Sequence, residues 1–232
     1  MEVKFKVEIN SLTFLLFINL FIFLLSFLVQ FFLGFDNNLF YTFGGFIASR
    51  ILTGDLQLLV TSNFFHLNLF HFLVNFYSLY QIGKVVHVLY GGRTLFITYI
   101  FGGIGGSILT LIISVLTRTD IYSLGASGAI FALVGLLIGG SLKKYRFGAN
   151  LPFTFWDILP FALLPLVLGF IPGLNINNWS HLGGLIIGVI LGFILKHSLI
   201  SFRRVRDILT ENFLYIASQI IFVLSYFILL LN

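Results

Sequence analysis

The chain of 232 residues contains no cysteine, and only 9% of its residues are charged. Without cysteine there can be no disulfide, no thiolate metal site and no thiol nucleophile. The scarcity of charge excludes a soluble globular domain, in which about 25% of the residues are charged. Because 59% of the residues are hydrophobic, much of the folded surface must face lipid rather than water.

Seven apolar segments are each long enough to cross a bilayer, which takes about 20 mainly apolar residues. No proline- or serine-rich linker separates them, so the sequence predicts a single transmembrane domain over residues 1–232. The connection between the first two spans is itself apolar, and we expect helical turns there, since irregular backbone cannot face hydrocarbon. The segments lie at about 11–33, 64–83, 94–117, 124–142, 152–171, 178–196 and 212–231.

The thirteen Lys and Arg residues fall almost entirely on one side of the predicted membrane. Since cytoplasmic loops carry an excess of Lys and Arg, the N-terminus is predicted to be cytoplasmic and the C-terminal Asn232 external. Nucleic-acid binding would need basic residues gathered on one solvated face, so the basic excess indicates topology instead. One side carries Lys4, Lys6, Lys84, Arg93, Lys143, Lys144, Arg146, Lys196, Arg203, Arg204 and Arg206, and the other carries Arg50 and Arg118.

Polar side chains in the outer halves of three predicted spans are candidates for function, because such groups are costly in lipid. The second span carries His66, His71 and Asn75. The fourth begins near Ser127 and the sixth near His181. All three spans start at the external side, and at about 1.5 Å per residue Ser127 and His181 would both lie about 5–10 Å below the outer ends of their helices.

Small residues follow His181 and Ser127 at every third or fourth position. Such a stripe lets a neighbouring helix approach closely, so we expect the fourth and sixth spans to pack together with His181 facing Ser127. The stripes consist of Gly184, Gly188 and Gly192 in the sixth span, and of Gly128, Ala132, Gly135 and Gly139 in the fourth.

A histidine within about 3 Å of a serine hydroxyl can take its proton and make it a nucleophile. Acyl transfer also needs donors for the developing oxyanion, and the Ser127 backbone N–H, the Asn75 amide and the His71 ring lie on the correct side. No acid lies in the outer half of the three spans, so the sequence predicts a Ser127–His181 dyad rather than a triad.

Each of these residues also has a structural interpretation. A serine beside glycine in a membrane helix is most often a packing residue. For His66 we expect a structural hydrogen bond, for His87 and His197 solvation at the cytoplasmic loops, and for Asp157 an interfacial position. A metal site is weakly supported, because His66 and His71 are five residues apart and do not share a helical face.

Three separated motifs resemble those of the rhomboid family of intramembrane serine proteases. Gly125–Gly128 matches its G-x-S-G motif, and His71–Asn75 matches its H-x-x-x-N motif. His181–Gly184, followed by Gly188, matches its sixth-span histidine and glycine stripe. The similarity extends over about 61–195. Family members often carry a Trp-Arg pair where this chain has Gln57-Leu58, and a glutamate where it has His87.

The resemblance implies an all-α polytopic membrane protein with a rhomboid-like six-helix core at about 11–196 and one additional C-terminal transmembrane helix. It implies Ser127 as nucleophile and His181 as general base, with His71, Asn75 and the Ser127 N–H around the oxyanion. Phe131 would stack on His181. The supporting glycines would be Gly125, Gly128, Gly184 and Gly188.

The function implied is cleavage of transmembrane segments of membrane-protein substrates near the external face, in a polar cavity between the second, fourth, fifth and sixth spans. No cofactor and no metal are expected. Substrate access is expected at the fifth span, with Pro160 and Pro165, and at an external cap over about 171–178. The compact size, the short loops and the absence of a targeting presequence predict a bacterial cytoplasmic membrane.

Two alternatives stay open. One is a catalytically inactive rhomboid-like protein that binds membrane clients; such a protein would be expected to lack the serine or the histidine. The other is a small transporter or channel, which would be expected to show an inverted repeat between its halves.

Overall fold

The structure is a computed structural model that describes residues 10–34, 41–143, 150–171, 176–197 and 204–231. Within these residues the chain forms helices and one two-stranded sheet, which confirms the predicted all-α polytopic fold. The elements in chain order are α1 (Ser11–Leu33), β1 (Phe46–Ile47), α2 (Ala48–Leu52), α3 (Leu58–Thr61), α4 (Leu69–Tyr90), α5 (Gly92–Thr117), β2 (Tyr122–Ser123), α6 (Ser127–Leu142), α7 (Phe155–Leu168), α8 (Asn178–Ile194) and α9 (Val205–Leu231).

Some predictions concern residues outside the described ranges. They are the assignments of Lys4, Lys6, Lys144, Arg146 and Arg203 to cytoplasmic connections, the external position of Asn232, and the part of the external cap over 172–175.

The described helices form a multi-pass membrane protein. Ser11–Phe32, Gly92–Thr117 and Val205–Leu231 are long and apolar enough to cross a bilayer, and α6, α7 and α8 are apolar but shorter. The outer helices α1 and α9 carry large exposed side chains, such as Phe32 at 78% and Leu230 at 84% of their surface. Apolar exposure on this scale requires a lipid or protein partner.

The central helix of the bundle is α6. Its 16 residues are apolar on every face, and all positions from Gly128 to Gly140 are buried. A helix that is hydrophobic all round lies in a protein interior. At about 1.5 Å per residue α6 is about 24 Å long, shorter than the roughly 30 Å hydrocarbon core. At least one of its ends therefore lies below the membrane surface.

The two predicted glycine stripes face each other between the parallel helices α6 and α8. A Cβ at Gly184 would overlap the carbonyl oxygen of Gly128, and one at Gly188 would overlap that of Ala132. The contact is therefore backbone against backbone, which glycine permits because it has no side chain.

Several predicted helix starts differ from the structure; the fifth span, for example, starts at Phe155 rather than near residue 152. The second span starts at Leu69 rather than near residue 64, because the Asn68 side chain accepts a hydrogen bond from the His71 N–H (2.8 Å) and caps α4. The prediction that His66 lies within this span is therefore wrong. The last helix starts at Val205 rather than near residue 212. A hydropathy average does not detect caps, which depend on single residues.

The fourth span starts at Ser127 instead of near residue 124. Gly125 has a φ of 118°, which a continuing helix does not allow. Ser127 is thus the first residue of its helix, not a residue 5–10 Å below the helix end as the sequence predicted.

The backbone contact predicts the effect of one added methyl group. In Gly188→Ala the new Cβ would meet the Ala132 backbone, and overpacking of this kind costs about 1–3 kcal/mol. We expect a lower unfolding temperature in detergent, measured by intrinsic fluorescence. Ile190→Ala on the exposed face of the same helix is the matched control and should unfold close to wild type. An unchanged unfolding temperature in Gly188→Ala would contradict the close packing of the two helices.

Candidate active site

The structure brings Ser127 and His181 together at the same end of the two packed helices. The Ser127 Oγ lies 2.9 Å from the His181 Nε2. With this nitrogen unprotonated, the serine hydroxyl donates to it. Ser127 is half-buried and His181 is 5% exposed, so Ser127 is the more accessible of the two residues.

The glycine contact explains why these two side chains meet. Ser127 precedes Gly128, His181 precedes Gly184 by three residues, and Gly184 packs on the Gly128 carbonyl. The Ser180 side chain also packs where a Cβ at Gly128 would stand. The first turns of α6 and α8 are therefore held against each other at the level of the two side chains.

The imidazole of His181 is held on one face by an aromatic ring. Phe131 and His181 are stacked, with ring centroids 4.2 Å apart and ring planes at 9°. Phe131 is four residues after Ser127 and so lies on the same face of α6. Among the described residues the His181 Nδ1 is buried without a hydrogen-bond partner. The ring is thus oriented by packing rather than by an acid.

The loop before Ser127 is shaped by Gly125. Its positive φ requires glycine, and its N–H donates to the Ser62 carbonyl oxygen (2.9 Å), which ties the loop to the segment before α4. Ser127 then opens α6. The first N–H groups of a helix have no acceptor within it and carry a partial positive charge. The Ser127 N–H is one of these groups.

His71 lies against this loop. A Cβ at Gly125 would be 2.6 Å from both Cε1 and Nε2 of the His71 ring, so the ring occupies the space that glycine leaves. Asn75 is buried, and its Nδ2 donates to the His71 carbonyl oxygen (2.9 Å). This bond uses one of its two N–H donors. The structure thus places His71 beside the serine loop and Asn75 one helical turn further along α4.

His66 lies in the segment before α4 rather than in the membrane span. It is 1% exposed, and its Nδ1 is 3.2 Å from the Phe64 carbonyl oxygen, to which a protonated Nδ1 donates. Its ring centroid lies 5.3 Å from that of His71, edge to face. Within the described ranges, no three His, Asp or Glu side chains are grouped as a metal ion would require.

The other ionisable residues lie away from the dyad. Asp157 accepts hydrogen bonds from the Thr154 N–H (2.7 Å) and hydroxyl (2.8 Å) in a capping box at the start of α7. The prediction that His197 is solvated is wrong, since it is fully buried beside Tyr90. Burial and the nearby charge of Lys143 lower the pKa of His197. For His87 the prediction of solvation holds only in part, because His87 is partly exposed and its Nδ1 is buried.

The connection between α1 and α4 is anchored without the Trp-Arg pair. Arg50 forms an ion pair with Asp55 (2.7 Å), and the Gln57 amide donates to the same carboxylate (3.2 Å). Leu58 is fully buried. Within the same connection, β1 pairs with β2, the strand just before the serine loop. Local ion pairing and strand pairing therefore hold this connection against the site.

A family model decides the classification. The model described as Rhomboid domain matches residues 53–198, more than half of the chain. The chain belongs to the rhomboid family. The match contains α4 to α8 and hence Ser127, His181 and His71, so the resemblance inferred from the three motifs is confirmed.

Several curated rhomboids are similar to this chain. RHOMBOID-like protein 4 of Arabidopsis thaliana is 32% identical over 155 residues, which cover 66% of this chain and 38% of that protein. Rhomboid protease GluP of Bacillus subtilis (strain 168) is 33% identical over 146 residues, which cover 63% of this chain and 27% of that protein. The chain thus matches less than half of either relative's length.

Sequence reasoning did not select Asn177, which lies four residues before His181. Its side chain contacts both α5 and β2. The signal available was an Asn directly before an apolar helix, which is typical of an N-cap. The contacts of its amide group join segments distant in sequence and could not be inferred. The predicted polar cavity around the dyad stays a prediction.

The aromatic stack predicts a selective effect on rate. Phe131→Leu keeps an apolar side chain but removes the stacked ring, and an aromatic pair contributes about 0.5–1.5 kcal/mol. We expect kcat for a reporter substrate to fall about 2- to 10-fold, with KM unchanged. Phe23→Leu removes a similar stack, on Phe72 (4.2 Å, 8°), and should keep wild-type kcat. Equal losses in both variants would assign the effect to general packing.

Proposed function

We propose that the chain is an intramembrane serine endopeptidase that cleaves transmembrane segments of membrane-protein substrates. The observation that carries this proposal is the 2.9 Å separation of the Ser127 Oγ and the His181 Nε2. A serine needs an adjacent base to become a nucleophile, and here the base is buried and fixed in orientation. Both residues lie in motifs that match the family.

In the proposed reaction, His181 Nε2 accepts the Ser127 proton while Oγ attacks the scissile carbonyl carbon. The protonated imidazole then donates that proton to the leaving amine, which yields an acyl-enzyme. Water, deprotonated by the same imidazole, attacks the ester carbonyl. His181 next returns its proton to Ser127 as the C–O bond breaks, and the carboxylic acid product leaves.

The negative oxygen of each tetrahedral intermediate needs donors that are already in place. We assign this role to the Ser127 N–H, to the His71 ring and to the free N–H of the Asn75 amide. The N-terminus of α6 adds its partial positive charge. His71 lies nearest to the serine loop, because its ring fills the space over Gly125.

The side of the membrane on which the dyad lies determines which part of a substrate it can reach. The dyad lies where α6 and α8 begin, and the opposite ends of these helices are followed by Lys143 and Lys196. By the positive-inside rule, the dyad is therefore on the external side. A helical substrate hides its carbonyls in backbone hydrogen bonds, so we propose that small or helix-breaking residues lie at and beyond the cleaved bond.

The decisive experiment removes each member of the dyad separately. Ser127→Ala and His181→Ala, produced at wild-type levels in membranes, should each abolish cleavage of a transmembrane reporter, as followed by mass spectrometry of the products. Asn75→Ala should reduce kcat by roughly 100-fold, because it removes one oxyanion donor. Ile190→Ala on the lipid-facing side of α8 is the control for expression and insertion.

The outcomes separate protease from client-binding protein. Cleavage that persists in Ser127→Ala or His181→Ala would reject the assigned dyad. A wild-type chain that captures transmembrane clients but cleaves none of a panel of reporters would favour the inactive alternative. The cleavage position relative to the bilayer, read from the product masses, tests the external location.

We also propose that residues 1–232 form one domain in a bacterial cytoplasmic membrane, with the N-terminus cytoplasmic. Because the chain has no cysteine, single introduced cysteines report topology directly. Leu56→Cys in the external connection should react with a membrane-impermeant maleimide in intact cells. Asn150→Cys, between α6 and α7, should react only after permeabilisation. The reverse pattern would invert the assigned orientation.

A further inference from the structure

The side chain of Asn177 connects three elements around the dyad. Its Oδ1 accepts a hydrogen bond from the Ser180 N–H (3.2 Å) and caps α8. Its Nδ2 donates to the Thr110 Oγ1 on α5 (3.0 Å) and to the Ser123 Oγ on β2 (2.9 Å). One amide therefore joins the helix of the general base, the neighbouring helix and the strand that leads to the nucleophile.

The hydrogen bond between Asn177 and Ser123 joins the same two segments as the Ser127–His181 contact, at matching positions. Ser123 is four residues before Ser127, and Asn177 is four residues before His181. The Asn177–Ser123 bond and the Ser127–His181 contact are both 2.9 Å long. The two segments are thus linked twice, once at the reacting atoms and once four residues before them.

Thr110, the acceptor on α5, is held in a fixed position. Thr110 is fully buried, and its hydroxyl donates to the Gly106 carbonyl oxygen (2.9 Å), which orients its lone pairs towards Asn177. Gly106 itself packs on Ser180, since a Cβ there would lie 2.6 Å from the Ser180 carbonyl oxygen. The start of α8 is therefore located against α5 by both packing and hydrogen bonding.

The hydrogen bond between Asn177 and Ser123 lies on the opposite side of the dyad from the glycine stripe. The stripe holds α6 and α8 together from Gly128 and Gly184 onward. On the other side of the dyad, among the described residues, Asn177–Ser123 is the side-chain hydrogen bond that joins the segment before Ser127 to the start of α8. Without it, no side-chain hydrogen bond among the described residues would join these two segments on this side of the dyad.

We propose that Asn177 is a positioning residue that sets the Ser127–His181 distance through Ser123 and Thr110. This inference rests on the proposed serine protease function. Asn177 contacts neither reacting side chain directly, so it acts by limiting the relative motion of the two segments that carry them. Catalytic rates are sensitive to such geometry, since a displacement of about 1 Å can cost 100-fold.

The test uses pairs of variants that differ by the hydroxyl group. Ser123→Ala and Thr110→Val each remove one acceptor of the Asn177 amide, whereas Ser123→Thr and Thr110→Ser keep it. Rates are measured in two ways: labelling of Ser127 by a fluorophosphonate, and kcat and KM for a cleaved transmembrane reporter. The labelling reaction needs no transmembrane substrate, so it isolates the reactivity of the serine.

We expect Ser123→Ala and Thr110→Val to lower the labelling rate and kcat by about 10- to 100-fold, with KM and the unfolding temperature unchanged. Ser123→Thr and Thr110→Ser should restore most of the rate. Thr117→Val is the matched control, because the Thr117 hydroxyl donates to a carbonyl of its own helix (2.7 Å) at the exposed end of α5. It should behave as wild type.

A double-mutant comparison assigns the effect to Asn177. In Asn177→Ala the cap is lost as well, so this variant is expected to unfold at a lower temperature. Adding Ser123→Ala to Asn177→Ala should lower the labelling rate and kcat little further, because both changes remove the same bond. Fully additive losses would overturn the proposal, and so would wild-type labelling rates in Ser123→Ala. If wild type itself is not labelled, the proposed function fails instead.

Discussion

The close backbone contact between α6 and α8 is the constraint on which the rest of the molecule depends. Because Gly184 and Gly188 have no side chains, their helix rests directly on the carbonyl groups of Gly128 and Ala132. No hydrophobic driving force favours one apolar helix pair over another in lipid, so shape decides which helices associate. The same contact that gives the bundle its centre brings His181 to Ser127.

Packing, rather than an acid, orients the His181 imidazole beside Ser127. A buried acid beside His181 would be costly in an apolar surrounding, and the structure instead stacks Phe131 on the imidazole at 4.2 Å. Besides the imidazoles of His71 and His66, the polar groups near this pair are neutral amides and hydroxyls whose hydrogen bonds connect helix ends. Asn68 and Asn177 cap the helices that carry His71 and His181. Fixed caps and fixed rings together make a preorganised polar site.

The connection between α1 and α4 is held by an ion pair and hydrogen bonds. Arg50, Asp55 and Gln57 form a local network, and Ser49 donates through its N–H (2.9 Å) and hydroxyl (2.7 Å) to the two carboxylate oxygens of Asp120. These bonds join the connection to the segment before β2. Because β2 leads into the serine loop, the contacts that anchor the connection also help to position Ser127.

The sequence by itself determined the membrane class, the all-α architecture, the order of the spans and the pairing of Ser127 with His181, because composition and the four-residue spacing of glycine are local properties. Tertiary structure alone decided where α4 and α6 begin, that His66 lies outside its span and His197 is buried, and that Asn177 reaches Thr110 and Ser123. Helix starts depend on single capping contacts, and burial depends on neighbours distant in the chain. A hydropathy window averages out the first, and no window along the sequence contains the second.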